Sequence, residues 1–301
     1  MSGKLIHFPF RRLSGTLLAL GLLISACTPV KPGVTSLVSL PTPTGVVATM
    51  IPQPTLPAPT LPPTAEAGAT LPAPTQAGTS GTPAQAQVTV DLNGVAQSAN
   101  PQVVDAVTAS AGGPPWEVSP QYTRLDLQGY MVSGHLMKPQ IFIYPVSGLA
   151  SANQNAGQIA ANLKDLLESQ QTGQYLPYLP MYNAQQVLHP QVKFLDFKTG
   201  KGVRFLTQFD QAMLPINNHE LHYTFQGLTS DGKYYVAAVL PVSLPDLPRD
   251  EKVTGTSMDD FVNNFAKYLT DTTTMLNQQP ADAFTPDLSK LDAMMQSLEV
   301  K

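Results

Sequence analysis

Proline spacing between residues 28 and 87 is the feature that most restricts how this chain of 301 residues folds. Prolines occur there at positions 29, 32, 41, 43, 52, 54, 57, 59, 62, 63, 72, 74 and 83. Proline removes backbone donors and disfavours both helices and central strands. The only charged residues of the stretch are Lys31 and Glu66. We therefore expect a disordered, partly polyproline-II stalk that reaches about 150–190 Å when extended.

Composition favours a plain spacer as the role of this stalk. Two other interpretations remain. The sequence TLPAPT occurs at 55–60 and again at 70–75, and proline-rich segments of this kind are ligands for aromatic-lined grooves. Threonine- and proline-rich tracts also carry O-linked sugars.

The residues before the stalk have the pattern of an export signal. Lys4, Arg11 and Arg12 form a positive start, and Thr16–Ser25 form an apolar run of about ten residues, which is too short to span a membrane. The arginine pair invites a twin-arginine interpretation, but Leu13-Ser14-Gly15 matches that motif poorly. Ordinary export of the unfolded chain is the prediction.

The chain's single cysteine follows this apolar run, in the sequence Ile24-Ser25-Ala26-Cys27. This sequence resembles the lipobox of bacterial lipoproteins. The resemblance implies that residues 1–26 are a signal peptide, removed once the Cys27 thiol carries a diacylglycerol. Two or three acyl chains, at about 0.8 kcal/mol per buried methylene, anchor a protein far better than one. The alternative is a plain secretory signal followed by a chance cysteine, which leaves a reactive unpaired thiol.

Residues 88–301 are long enough for one sizeable core, so we predict three regions: the signal peptide (1–26), the lipidated cysteine with its stalk (27–87) and a single globular domain (88–301). The domain has thirteen Lys and Arg against twenty Asp and Glu, a net charge of −7. This balance argues against nucleic acid and against adhesion to an anionic membrane surface. The carboxylates are scattered, so they do not argue for a cationic partner either.

Alternating and apolar runs predict an antiparallel sheet. Strands are expected at 88–92, 122–127, 140–145, 192–197, 203–209, 220–226 and 234–240, with an Asp-Gly turn in the sequence SDGK at 230–233. Helical periodicity predicts helices over 153–168, over 257–278 and from Thr285-Pro286 onward. The fold class is therefore α+β, an antiparallel sheet flanked by helices.

The order of these elements, with the closing sequence LSKLDAMMQSL at 288–298, resembles the PsbP-like fold over residues 121–301. The resemblance implies an antiparallel sheet between helices that ends in a helix. It rests on architecture alone and transfers no functional residue.

Two motifs resemble catalytic or metal sites without completing them. Gly227 to Lys233 fits G-x-x-x-x-G-K, but Tyr234 replaces the required Ser or Thr and a strand follows instead of a helix, so a hairpin is predicted. His219 and His222 are three apart in a predicted strand, where such positions face opposite sides. With His135 and His189 in unrelated segments, we expect surface or edge histidines rather than a zinc site.

The sequence YLPYLPMY at 175–182 is the strongest candidate for ligand binding. Tyr175, Tyr178 and Tyr182 offer amphipathic rings to a sugar, a peptide or an apolar ligand. The competing interpretation is a hydrophobic loop packed on the preceding helix, because tyrosine is commonly half-buried.

No catalytic set, metal site or cofactor motif is predicted, since G-x-S-x-G is absent and residues 88–301 contain no thiol. The leading hypothesis is a non-enzymatic, surface-exposed lipoprotein that binds or supports another envelope component. It would be attached through Cys27 to the outward face of the cell membrane, or of an outer membrane where there is one. The alternatives are a small-ligand-binding lipoprotein that serves uptake or sensing, and an extracellular hydrolase with an unrecognised site.

Overall fold

A seven-stranded sheet forms the centre of the fold, and every pairing in it is antiparallel. A computed structural model of the chain describes residues 86–109 and 114–301, so the predicted signal peptide, Cys27 and nearly all of the predicted stalk lie outside the described residues. The strands are β1 (Val88–Thr89), β2 (Ser98–Val104), β3 (Tyr122–Gln128), β4 (Gln140–Pro145), β5 (Gln185–Gln186), β6 (Lys193–Phe197), β7 (Gly200–Thr207), β8 (Phe209–Asp210), β9 (His222–Thr229), β10 (Tyr234–Pro241) and β11 (Glu299–Val300). The sheet order is β2-β3-β4-β10-β9-β7-β6, and the short pairs β1-β11 and β5-β8 lie outside it.

Helices cover both faces of the sheet, which confirms the predicted α+β class. They are α1 (Val146–Ala152), α2 (Gln154–Ser169), α3 (Met258–Asn263), α4 (Phe265–Gln278) and α5 (Leu288–Gln296). Leu149 of α1 and Leu163 of α2 pack with Phe205 and Tyr235 on one face. On the other face, Leu291 and Met295 of α5 pack with Ile141, Phe225 and further apolar residues of the strands. The alternation of strand side chains separates these two cores.

Local sequence explains several element boundaries. The side chain of Asn153 accepts hydrogen bonds from the amides of Asn155 and Ala156, which caps α2. The β9-β10 hairpin turns at Gly232, whose φ of +71° suits glycine. Ala86 is buried and Gln87 exchanges backbone hydrogen bonds with Lys301, so the fold takes in two residues that the sequence pattern assigns to the stalk.

Some elements differ from the sequence prediction. Strand β2 was not predicted, because most of its side chains are exposed and it lacks an alternating pattern. The first strand ends at Thr89, three residues early. The helix predicted over 257–278 is interrupted at Asn264, which separates α3 from α4. The last helix begins at Leu288 with Asp287 as its cap, rather than at Thr285-Pro286.

A buried ionic cluster fixes α5 to the sheet. The carboxylate of Asp292 accepts from Nε of Arg204 at 3.1 Å, from the hydroxyl of Tyr223 at 3.1 Å and from Nζ of Lys193 at 3.0 Å. Arg204 and Asp292 are both buried, whereas the Lys193 side chain is half-exposed. Each charged group is therefore paired, as burial of charge requires.

Candidate functional site

The tyrosine segment, residues 175–182, lies against the α2 face of the sheet. Side-chain amides of two glutamines hydrogen-bond its backbone in the way that a neighbouring strand would. The amide of Gln226 accepts from the backbone N–H of Leu179 at 3.0 Å and donates to its carbonyl at 3.1 Å. Gln186 binds the N–H and the carbonyl of Leu176 in the same manner. Because buried backbone groups need partners, these two glutamines hold an irregular segment in one conformation.

The structure separates the three predicted tyrosines. Tyr178 is buried in the core between the segment and the sheet, and its hydroxyl lies 2.8 Å from Nε2 of His222. Tyr175 is 49% exposed and Tyr182 is partly buried, and both line an open groove. Tyr175 and Tyr182 are therefore placed to meet a ligand from solvent, whereas Tyr178 holds the segment to β9.

The expectation of surface or edge histidines is wrong for His222. Its side chain is fully buried at the start of β9, on the face that the tyrosine segment covers. Alternate residues of β9 are polar, a pattern that normally indicates a face exposed to water. Here these polar side chains are buried beneath the tyrosine segment. His219 is partly buried in the turn before β9, where its ring lies 6.5 Å from that of His135. Among the described residues, no group of three or more His, Cys, Asp and Glu side chains could hold a metal ion.

The groove lined by Tyr175 and Tyr182 has a volume of about 1590 Å³, and we call it the α4 groove. One wall is the exposed face of α4, with Phe265, Leu269 and Thr273 at helical spacing. The opposite wall is formed by residues 182–189, and the segment 210–213 also lines it. Side-chain amides and hydroxyls alternate with these apolar groups, among them Asn183, Gln185, Thr270, Thr274 and Asn277.

Besides its packing on the core, helix α4 is hydrogen-bonded to neighbouring segments near Tyr268 and near Asn277. The hydroxyl of Tyr268 accepts from the backbone N–H of Ile216 at 2.8 Å. Nine residues further along, the side chain of Asn277 accepts from the N–H of Gln191, whose own amide donates to the carbonyl of Leu276 at 2.8 Å. These attachments are about 14 Å apart along the helix, so the groove wall is positioned before any ligand arrives.

Asp210 is the one charged side chain among the described residues that line the α4 groove. It is only 7% exposed, and its Oδ2 accepts from Nε2 of Gln208 at 2.8 Å. No described residue donates to Oδ1. Because no fully buried side-chain oxygen among the described residues lacks a partner, Oδ1 keeps some exposure, and Asp210 itself lines the groove. Burial raises the pKa of Asp210 to about 6, and the nearby charge of Glu220 acts in the same direction.

A chain of amides orients the Asp210 carboxylate. Gln208 donates to Asp210, and its Oε1 accepts from the backbone N–H of Asn217 at 3.0 Å. The side chain of Asn217 donates to Oε2 of Glu220 at 2.9 Å. Because every donor in this chain is engaged, the carboxylate stays fixed with one oxygen free.

His189 and Tyr182, which also line the groove, are neutral near pH 7. Burial lowers the pKa of His189 and raises the pKa of Tyr182 to about 12. Sequence reasoning did not single out Asp210, Phe265 or Gln185 as site residues. Asp210 follows the apolar strand β7 as an ordinary polar residue, and no local pattern marks it. Only the fold brings it beside the tyrosine segment.

Comparison of the chain with protein-family models, curated proteins and solved structures returned no significant match. None of the helices in residues 114–301 is long and apolar enough to cross a membrane.

Proposed function

We propose that this chain is a lipid-anchored, non-enzymatic binding protein of the bacterial cell envelope, which holds a ligand or an envelope component in the α4 groove. The observation that carries the proposal is a large groove in which the exposed Tyr175, the partly buried Tyr182 and one carboxylate oxygen of Asp210 are held in place before binding. Function is argued from this site, because the fold class alone does not assign one.

The free-energy cost of keeping Asp210 ionised in the folded protein supports a binding role. A carboxylate with a raised pKa is less stable as an ion in the folded protein than in water. Residues of this kind, in a concave site with a specific polar partner, are candidates for functional groups. The amides that orient Asp210 stabilise it only in part, since its second oxygen lacks a donor.

The size of the groove favours an extended ligand. Pockets for small molecules have volumes of roughly 300–1,000 Å³ and enclose most of the ligand. The α4 groove, at about 1590 Å³, is larger and open along the helix. A polymer or a segment of a partner therefore fits this site better than the small solute of an uptake or sensing protein.

The anchor is tested separately from the groove. Replacement of Cys27 with Ser removes the only thiol, so the protein should lose the acyl chains that hold it in membrane fractions. We expect release of the variant from membranes and an altered electrophoretic mobility. Unchanged retention together with unchanged mobility would refute lipid attachment at Cys27.

The groove is tested by photo-crosslinking in intact envelopes. The photoreactive residue p-benzoylphenylalanine is placed at Asn183, an exposed residue that lines the groove, and, as the matched control, at Asn155, an exposed residue of α2. We expect an adduct with an envelope component from position 183 only. Equal labelling at both positions, or none at 183, would argue against the α4 groove as the binding site.

A further inference from the structure

We infer that the ligand of the α4 groove is an uncharged polysaccharide chain, held by Tyr175 and Tyr182 through their rings and by Asp210 through hydrogen bonds from sugar hydroxyls. This inference rests on the proposed function and names its ligand class. It depends on three properties of the groove: the presentation of its aromatic rings, the absence of cations from its lining and the single free acceptor at Asp210.

The aromatic rings are fixed by neighbours. The hydroxyl of Tyr175 accepts from the side-chain amides of Gln174 and Gln185, although nearly half of the residue is exposed. The ring of Tyr182 packs edge-on against Phe209, with centroids 5.3 Å apart. Since these rings lose little freedom on binding, each offers a ready platform for the apolar C–H face of a sugar ring.

The polar lining suits hydroxyl groups. Asn183, Gln185, Asn277, Thr270 and Thr274 supply both donors and acceptors. A sugar hydroxyl also donates and accepts, so it can be satisfied by either kind of group. An apolar helix or lipid chain would leave these amides without partners, at a cost for each group that becomes buried.

Charge restricts the ligand further. No lysine or arginine is among the described residues that line the groove, and its one ionised group is the carboxylate of Asp210. A phosphate- or carboxylate-bearing polymer would be repelled by Asp210 and would find no cation to pair with. The ligand is therefore neutral along the part that lies in the groove.

The free oxygen of Asp210 separates a polysaccharide from a proline-rich polypeptide, the other polymer that binds tyrosine-lined grooves. Proline has no backbone N–H, so such a segment has few donors to offer. Oδ1 of Asp210 needs a donor, because the described residues give it none. Hydroxyl groups meet this need along the whole length of a sugar chain, and a hydrogen bond to an ionised acceptor is about twice as strong as a neutral one.

The test is calorimetric titration of the full chain in detergent with neutral tetrasaccharides (chitotetraose, cellotetraose, maltotetraose and mannotetraose) and with a proline-rich peptide. We expect saturable binding of at least one tetrasaccharide and none of the peptide. Tyr175→Ala and Asp210→Asn should each weaken this binding by about tenfold or more. Two matched controls, Trp116→Ala for an exposed aromatic residue and Asp165→Asn for a carboxylate outside the groove, should change it less than about twofold.

Three outcomes would overturn the inference. Binding of the peptide without any sugar would assign the groove to polypeptides and leave the proposed function in place. Tetrasaccharide binding that Tyr175→Ala and Asp210→Asn leave unchanged would place the sugar elsewhere. If no probe binds, the photo-crosslink at position 183 decides: a protein adduct refutes the polysaccharide alone, whereas the absence of any adduct refutes the proposed function as well.

Discussion

The hydroxyl of Tyr178 lies 2.8 Å from Nε2 of His222, and this contact joins the middle of the tyrosine segment to the start of β9. Nδ1 of the same ring lies 3.0 Å from the carbonyl of Glu220, which can only accept. Nδ1 therefore carries the proton, and Nε2 accepts from Tyr178. Burial keeps the ring neutral by lowering the pKa of His222 to about 4.

Removal of the Tyr178 hydroxyl should destabilise the domain. In Tyr178→Phe the buried Nε2 of His222 has no donor, so we expect a loss of about 1–3 kcal/mol in the free energy of unfolding. Urea denaturation at pH 7.5 measures it. Tyr175→Phe is the control, because that hydroxyl is on an exposed residue, and its effect should stay within about 0.5 kcal/mol. Equal effects of the two variants would contradict this account.

Acid should weaken the fold through His222. Its folded-state pKa of about 4 lies below the ordinary value of 6.5, so the unfolded chain binds the proton more readily. The contribution of His222 to stability should fall by about 3 kcal/mol as the pH drops from 6.5 to 4. His135, whose pKa burial also lowers, acts in the same direction. His222→Gln keeps a donor and an acceptor but does not titrate, so its urea melts should show a shallower decline than the wild type. Parallel declines would show that His222 is not responsible.

Asp210→Asn should stabilise the protein at neutral pH. The pKa of Asp210, raised to about 6 from 3.8, means that the folded state holds the proton more tightly. Its contribution to stability therefore increases as the pH falls through 6 toward 4, and its ionised form is unfavourable above 6. We expect the variant to gain roughly 2 kcal/mol at pH 7.5 and to match the wild type near pH 4. A loss of stability at pH 7.5 would contradict the conclusion that ionised Asp210 is unfavourable in the folded protein.

Loss of Asp292 should be severe. Asp292→Ala removes the acceptor of Arg204 Nε and of the Tyr223 hydroxyl and leaves the buried guanidinium without its counter-charge, so unfolding should become easier by about 3–5 kcal/mol. The control is Lys193→Ala, which removes the half-exposed partner of the same carboxylate. That variant should cost less than about 1 kcal/mol. Thermal melts of both variants measure the difference, and similar effects would contradict a buried cluster.

Strands with two-residue periodicity were predicted well. β3, β4, β9 and β10 lie within two or three residues of their expected bounds, and the Asp-Gly turn is where SDGK predicted it. Alternation and turn chemistry are local properties, so the sequence carries them directly. Strand β2 and the interruption at Asn264 were missed, since an edge strand needs no apolar alternation and the apolar spacing continues across the interruption.

The site was predicted in part. The tyrosine segment was recognised from its composition, and two of its three rings line the groove. The sequence did not distinguish Tyr178 from Tyr175, because each begins the same tripeptide, Tyr-Leu-Pro. The two rings differ only in the residues that contact them from distant parts of the chain. Asp210 and Phe265 were not expected at all, since each lies in an ordinary local context. The lipobox and the stalk remain predictions.

By itself, the sequence determined the class of fold, the antiparallel pairing of the strands and the position of most helices, because periodicity and turn residues act over a few positions. The tertiary structure alone decided which polar residues are buried and which meet at the groove. Tyr178 and His222 are 44 residues apart. Asp210 and α4 line the same groove although β9, β10 and α3 lie between them in the sequence. A polar side chain is stable in the interior only beside a partner, and that partner is chosen by packing between distant segments rather than by the residues next to it.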